Sequence, residues 1–265
     1  KGKFKFAGHE LAGKSLGVIG LGAVGGPVAN AARRLGMTVY GCDPFISIDA
    51  AWHLDSHIIK VNSRDEIYQK CDMITLHTPL LPDTTKMINR ESLGKMKDGV
   101  VILNFARDLL VDDEAMEEAL RSGKVRRYIT DFPNQKTASM AGVIAIPHLG
   151  ASTQESEDKC AMMAVRQVMD YLENGNIVNS VNYPNCDMGV CTKPGRLVIL
   201  HRNIPNSLGQ FTSAVAKRNI NISDLMNRSR GTFACTILDL DTTTPQELVE
   251  DLQKVDGVLR VRKIH

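Results

Sequence analysis

The sequence predicts an α/β fold: a doubly wound parallel sheet of the Rossmann type, followed by a smaller ferredoxin-like β-α-β-β-α-β unit. Three observations predict it. The stretch Leu16 to Pro44 reads as strand, glycine turn, helix and strand, with a carboxylate at the tip. Three further apolar runs then end in short turns carrying proline, arginine or histidine. From Arg196 the pattern changes to six short elements in about 70 residues, the split βαβ layout. At 265 residues the chain is long enough for two cores. The expected boundaries are 1–151 for a dinucleotide-binding domain, 152–175 for a connecting helix, 176–195 for a linker and 196–265 for the second domain.

The opening unit carries the most specific signal. Gly20, Gly22 and Gly25 stand in the spacing G-x-G-x-x-G directly after the apolar run Leu16 to Ile19. The first glycine permits a sharp turn, the second lets the backbone approach a pyrophosphate, and the third lets helix and strand pack closely. The helix N-terminus offers N–H groups and a positive dipole end to phosphates, and Pro27 is tolerated in its first turn. Asp43 closes the second strand roughly 20 residues on, as the fingerprint requires. Its carboxylate accepts ribose hydroxyls and repels a 2′-phosphate, and Pro44, Phe45 and Ile46 supply no arginine, so the expected cofactor is NAD.

The following elements bring side chains to the same end of the sheet. Asp72 to Leu80 is a strand ending at Thr78 and Pro79, placed to touch the cofactor, with His77 read as a packed strand-end histidine. Gly99 to Asn104 is a strand buried on both faces, and Arg107 sits just beyond it, ahead of a helix from Asp113 to Leu120. A guanidinium there presents a fixed fork to a carboxylate. Two short strands end at Asp131 and at Pro147, His148, Leu149 and Gly150. A histidine and a permanent cation then face the cleft, the two groups that proton and hydride chemistry needs.

Residues 152 to 173 have helical spacing, with Ser152 or Thr153 as N-cap and Gly175 as terminator. Ala161, Val165, Val168, Met169 and Leu172 form an apolar face expected to pack on the domain or a partner subunit. The linker is rich in Asn, Pro and Gly. The second domain reads as a strand from Arg196, a helix over PNSLGQFTSAVAKRN, two strands joined at Gly231, a helix over PQELVEDLQKV and a last strand VLRVRKI.

Composition limits the function classes. Lys plus Arg number 32 against 30 for Asp plus Glu, a formal charge of +2 with no basic run, which gives no reason to invoke nucleic acid. No apolar stretch approaches a membrane span and the start lacks a signal-peptide core, so a cytoplasmic protein without membrane contact is expected. Six scattered cysteines include no C-x-x-C pair and no zinc set, so free thiols and no metal are expected.

Taken together, GLGAVG with Asp43, HTPL, NFARDLLVDDEAM and IPHLGAST, in that order, resemble the D-isomer-specific 2-hydroxyacid dehydrogenases, with the C-terminal unit resembling an ACT domain. The resemblance implies a small-molecule substrate and NAD-dependent oxidation of a 2-hydroxy acid. An amino-acid-sensing domain points to D-3-phosphoglycerate at the start of serine synthesis. It implies Arg107 as the group holding the substrate carboxylate and His148 as the acid/base, both catalytic. Asp131 would orient the nicotinamide carboxamide. The implied cofactor contacts are Gly20, Gly22, Ala23, Val24, Gly25, Asp43, Thr78, Pro79, Ala106, Arg107, Asp131, His148 and Gly150. His201, Asn203 and Asn221 would bind serine as effector. A homo-oligomer is implied, with residues 152 to 173 and the ACT edges as contacts.

The sequence departs from the family in two places. The family glutamate that pairs with the histidine has no counterpart in DFPNQKTASM, so His148 is expected to lack its usual partner unless a side chain elsewhere, such as Gln135, orients it. The family's N-terminal lobe is absent from this sequence, so NAD binding with weak turnover is expected of these residues alone. A non-catalytic NAD- or amino-acid-sensing module, or a dehydrogenase for another 2-hydroxy acid, is the alternative reading.

Overall fold

The computed structural model describes residues 8–264. The first seven residues and the last, which the expected domain boundaries include, lie outside the described residues. The chain divides between Gly150 and Ala151 into two units.

In the first unit, seven strands form one parallel sheet: β1 (Ser15–Ile19), β2 (Thr38–Cys42), β3 (Ile59–Lys60), β4 (Met73–Leu76), β5 (Val100–Asn104), β6 (Val125–Thr130) and β7 (Val143–Ala145), in the order β3-β2-β1-β4-β5-β6-β7. The chain winds outward from β1 to β3, then returns to pair β4 on the other side of β1. That reversal leaves a crevice at the carboxyl ends of β1 and β4, where ligands of such sheets bind. The central strands are apolar because helices cover both faces. Val18, Ile74, Leu76 and Ile102 are fully buried.

Five helices connect the strands of this sheet: α1 (Gly25–Arg34), α2 (Ile48–Trp52), α3 (Arg64–Lys70), α4 (Arg90–Lys95) and α5 (Asp113–Ser122). Four begin at side-chain caps, Ser47, Ser63, Asn89 and Asp112, each accepting from a backbone N–H one turn on. α1 differs. Val24 precedes it, no side chain caps it, and no acidic residue lies in its first turn. The short strand β3 and the helices α2, α3 and α4 have no counterpart in the sequence reading. At the opposite edge of the sheet Asp72 anchors β4 to β1, accepting from the backbone N–H of Ser15 (2.9 Å) and from Lys97 (2.9 Å). Burial pushes this carboxyl up, but the bonds from the Ser15 N–H, Lys97 and the Ser15 hydroxyl outweigh it and hold it at about 2.

The second unit opens on α6 (Gln154–Asn174), capped by Thr153 and ended by Gly175 at φ 77°, the left-handed turn that favours glycine. A side chain at Gly175 would also overlap Val198, 2.2 Å from its Cβ position. Of its expected apolar face, Val165, Val168, Met169 and Leu172 are about half exposed in the single chain.

Beyond it, β8 (Gly195–Arg202), α7 (Ser207–Ala216), β9 (Ile222–Arg230), β10 (Phe233–Leu240), α8 (Gln246–Gln253) and β11 (Val258–Lys263) follow in sequence, and the strands pair antiparallel in the order β11-β8-β10-β9. One face of this sheet packs on α7 and α8 through Leu197, Ile199, Phe211, Val215, Leu238, Leu240, Leu248 and Leu252.

The other face corrects the expected linker. Ile177 and Cys186 exchange backbone hydrogen bonds, and both pack against Val198, Cys235 and Ile237. Segment 176–195 is therefore a cover for the sheet's second face, where apolar side chains of β8 and β10 would otherwise meet water. Arg196 fixes it there. Its guanidinium pairs with buried Asp239 at 2.8 Å and donates to the carbonyls of Asn174 (3.0 Å) and Gly189 (2.8 Å). A buried guanidinium requires such full pairing.

Candidate active site

The glycine loop closes the crevice at its floor. Gly20 has φ 93°, and a Cβ there would stand 2.5 Å from the carbonyl oxygen of His77 at the end of β4. At Gly25 a Cβ would stand 1.9 Å from the carbonyl oxygen of Gly20. Both positions must lack a side chain for β1, α1 and β4 to meet. Gly22 is different: among the described residues nothing lies within 4 Å of a Cβ there, and Gly22, Ala23 and Val24 are exposed. This glycine serves no internal packing, as expected where space is kept for a ligand.

Asp43 ties β2 to the loop. Oδ2 accepts from the Leu21 N–H at 2.8 Å and Oδ1 from the Phe45 N–H at 2.9 Å, leaving lone pairs on both oxygens. Thr78 and Pro79 follow β4 at the same end, and the Pro79 carbonyl accepts from the Thr84 hydroxyl at 2.7 Å. His77 is packed as expected: Nε2 lies 2.9 Å from the Thr75 hydroxyl, and burial lowers its pKa.

The chemistry-bearing side chains cluster at the ends of β5, β6 and β7. Asn104, fully buried at the end of β5, donates to the carbonyl of Arg107 (2.8 Å), and its Oδ1 accepts from the N–H of Ala106 (3.2 Å). These bonds hold the turn that aims Arg107. The Arg107 guanidinium lies 5.7 Å from the centroid of the Phe132 ring. The His148 ring lies against the same ring, tilted by 43° with centroids 4.5 Å apart. Its Nδ1 lies 2.8 Å from Asp131 Oδ2.

The side chain elsewhere that orients the imidazole is not Gln135. Asp131 does so, because β6 and β7 are parallel neighbours with Thr130 opposite Ala145, which places the residues following each strand side by side. A carboxylate opposite Nδ1 requires the proton there, leaving the Nε2 lone pair free as a base. The other oxygen, Asp131 Oδ1, is buried and has no hydrogen-bond partner among the described residues.

The residues present fit a dinucleotide. The loop leaves open space at Gly22, the α1 N-terminus is uncapped, Asp43 retains acceptor sites, and Asp131 has an acceptor oxygen without a donor among the described residues. Residues 1–150 match the family profile described as D-isomer specific 2-hydroxyacid dehydrogenase, NAD binding domain. The chain belongs to the D-isomer-specific 2-hydroxyacid dehydrogenases. Residues 1–150 are that family's NAD-binding domain.

The chain is 30% identical to the D-3-phosphoglycerate dehydrogenase of Haemophilus influenzae over 268 residues, covering 97% of this chain and 64% of that protein. It is 38% identical to the Homo sapiens D-3-phosphoglycerate dehydrogenase over 184 residues, covering 67% of this chain and 34% of that one. It thus spans no more than 64% of either relative. Among solved structures, a glyoxylate reductase from Paecilomyes thermophila is similar, with 30% identity, a TM-score of 0.58 and coverage of 66% of this chain and 54% of that one. The pyruvate reductase of Chlamydomonas reinhardtii matches with 29% identity, a TM-score of 0.55 and coverage of 62% and 55%.

Of the dehydrogenase residues read from the sequence, Gly20, Gly25, Asp43 and Thr78 meet around the loop, while Arg107, Asp131 and His148 meet around Phe132. Gly150 lies exposed beyond β7. Phe132 and Asn104 were not read from the sequence. Their signals, an aromatic directly after a strand-end aspartate and a polar residue closing an apolar strand, are visible only in retrospect.

In the second unit, His201 is 3% exposed. Its Nδ1 donates to the Arg202 carbonyl (2.8 Å), Nε2 lies 2.9 Å from the Thr236 hydroxyl, and its ring meets Phe211 edge-on. Both nitrogens thus have hydrogen-bond partners inside the fold. Asn203 donates to the Gly231 carbonyl at 3.2 Å, and Asn221 has an exposed side chain.

Proposed function

We propose that the protein carries the catalytic half of an NAD-dependent D-2-hydroxyacid dehydrogenase whose substrate is D-3-phosphoglycerate, oxidised to 3-phosphohydroxypyruvate. The observation that carries this reading is the joint contact of Arg107 and His148 with Phe132, with Asp131 holding the imidazole. The G-x-G-x-x-G loop with the α1 N-terminus would hold the pyrophosphate, and Asp43 the adenosine ribose. When bound, NAD supplies the hydride acceptor.

His148 Nε2 removes the hydroxyl proton from the substrate, and Asp131 keeps the imidazole in the tautomer that can accept it. Arg107 grips the substrate carboxylate with its planar fork and draws charge from the C2 oxygen as the carbonyl forms. Phe132 keeps the two cationic-capable groups on one surface, so a small acid spans them. The relatives named D-3-phosphoglycerate dehydrogenase favour the phosphorylated acid as substrate.

The β-α-β-β-α-β element order of the second unit supports an ACT-type effector domain, with Asn203 and Asn221 as its serine ligands, and a homo-oligomer as the working form. Incubating the complete protein with NAD and D-3-phosphoglycerate tests the proposal: NADH should form, and NADP should serve poorly because Asp43 repels its phosphate. NAD binding without product from any 2-hydroxy acid would favour the non-catalytic sensor instead.

A further inference from the structure

We propose that Cys186 and Cys235 are an oxidative modification site, at which a hydroperoxide closes a disulfide that staples segment 176–195 to the sheet of the second unit. Both residues belong to that unit, so the inference is independent of the dehydrogenase reading.

The two thiols meet inside the fold. Both residues are fully buried in one apolar cluster with Ile177, Val198 and Ile237. The Cys186 thiol donates to the Cys235 carbonyl, with Sγ 3.7 Å from the oxygen, and both side chains are free thiols. They come from different kinds of structure. Cys235 lies in β10, which is hydrogen-bonded to β8 on one side and β9 on the other. Cys186 lies in the irregular cover, tied by its own pair of backbone bonds with Ile177 at 2.8 and 2.9 Å. A bond between the sulfurs would therefore fasten an irregular segment to an inner strand.

Their surroundings divide the pair into an attacking and a resolving thiol. Arg228 stands opposite Cys235 on β9, on the same face of the sheet. The hydrogen bond with the Cys235 thiol pulls Cys186 down against its burial, and Arg228 adds to that pull while Asp187 opposes it. Cys235, which keeps its proton in that bond and is buried, is pushed up. At Cys71, where burial dominates, the thiol instead rises to about 12. Cys186 is thus the readier thiolate of the two.

The chemistry balances without a metal. Cys186 sulfur attacks the outer oxygen of the hydroperoxide, forming S–O as O–O breaks, and the leaving oxygen departs as water or an alcohol with the proton Cys186 gave up. Cys235 sulfur then displaces the sulfenic oxygen, so S–S forms, S–O breaks and water leaves with the Cys235 proton. The two thiols lose two electrons and the peroxide gains them. Neither thiol meets solvent in the closed form. Oxidation therefore passes through local opening of the cover, and the disulfide opposes further opening.

The test uses the full chain carrying Cys160→Ser and Cys191→Ser, which removes the two thiols that are not buried. It is treated with hydrogen peroxide at a dose that fully oxidises Cys160 of the unsubstituted chain, and its disulfides are mapped by mass spectrometry after alkylation. A peptide linking Cys186 to Cys235 should appear and vanish with dithiothreitol, while Cys42 and Cys71 remain alkylatable. The melting temperature of the second unit should rise by about 5–15 °C on oxidation, as closing a long loop implies. Adding Cys186→Ser or Cys235→Ala should abolish both the linked peptide and the rise. Should those variants fail to fold, the mapping in the parent chain decides by itself. Cys186 and Cys235 both alkylatable after peroxide, or Cys186 oxidised without a link to Cys235, would overturn the proposal.

Discussion

Replacing His148 by alanine is expected to lower kcat of the complete protein by about 10²- to 10⁴-fold while NAD affinity is retained. The factor is the usual contribution of a positioned acid/base. The imidazole owes that position to Asp131 and Phe132, and its Nε2 has no competing hydrogen bond recorded among the described residues. Retained affinity is expected because the phosphate loop and Asp43 lie at β1 and β2, away from the strand that ends before His148. Steady-state kinetics paired with NAD calorimetry checks both halves. A kcat within about threefold of wild type would remove His148 as the base.

The second large effect is a contrast between two glycines in one motif. Gly25→Ala should destabilise the first unit by about 1–3 kcal/mol, the cost of overpacking a close-fitted contact, because its Cβ falls 1.9 Å from the Gly20 carbonyl oxygen and 3.1 Å from His77 Cβ. Neither backbone can yield without opening the gap between α1 and β1, so NAD binding should fall as well. Gly22→Ala should leave thermal stability within about 0.5 kcal/mol of wild type, since among the described residues nothing lies within 4 Å of its Cβ. It should still impair NAD binding, because the methyl enters the space kept for the pyrophosphate. Melting curves and calorimetry on both variants separate the roles. Equal destabilisation by the two substitutions would contradict the division between a packing glycine and a ligand-facing one.

Much of the first unit was legible because burial on both faces leaves continuous apolar runs, as in β1, β4 and β5, and because the glycine fingerprint reflects backbone geometry directly. Elements without such a signature escaped. β3 is two residues long and exposed, and α2 to α4 are five to seven residues each, too short for a helical period to stand out. The segment 176–195 was misread since its Asn, Pro and Gly content is that of a linker. Its covering role depends on Ile177 and Cys186, which have no periodic neighbours to mark them. The partners that His201 holds inside the fold are likewise not readable from its motif.

The candidate site divides in the same way. Arg107 and His148 were legible because each stands three residues beyond a strand end, after Asn104 and Ala145, and strand ends of a parallel sheet converge on one edge. The Asp131–His148 pair was not, since the two residues are 17 apart and meet only because β6 and β7 are neighbours. Phe132 escaped for a related reason. An aromatic residue in a loop is ordinary until two functional side chains are found on its ring.

The central claim is that Arg107 and His148 work on opposite sides of one reacting centre, carried on Phe132 at the carboxyl edge of the sheet. A crystal structure of the complete protein with NAD and a substrate acid tests it most directly. The nicotinamide should lie beside Asp131, the acid's carboxylate on the Arg107 guanidinium and its hydroxyl within hydrogen-bond reach of His148 Nε2. A substrate hydroxyl out of reach of His148, or a nicotinamide bound away from Asp131, would contradict it.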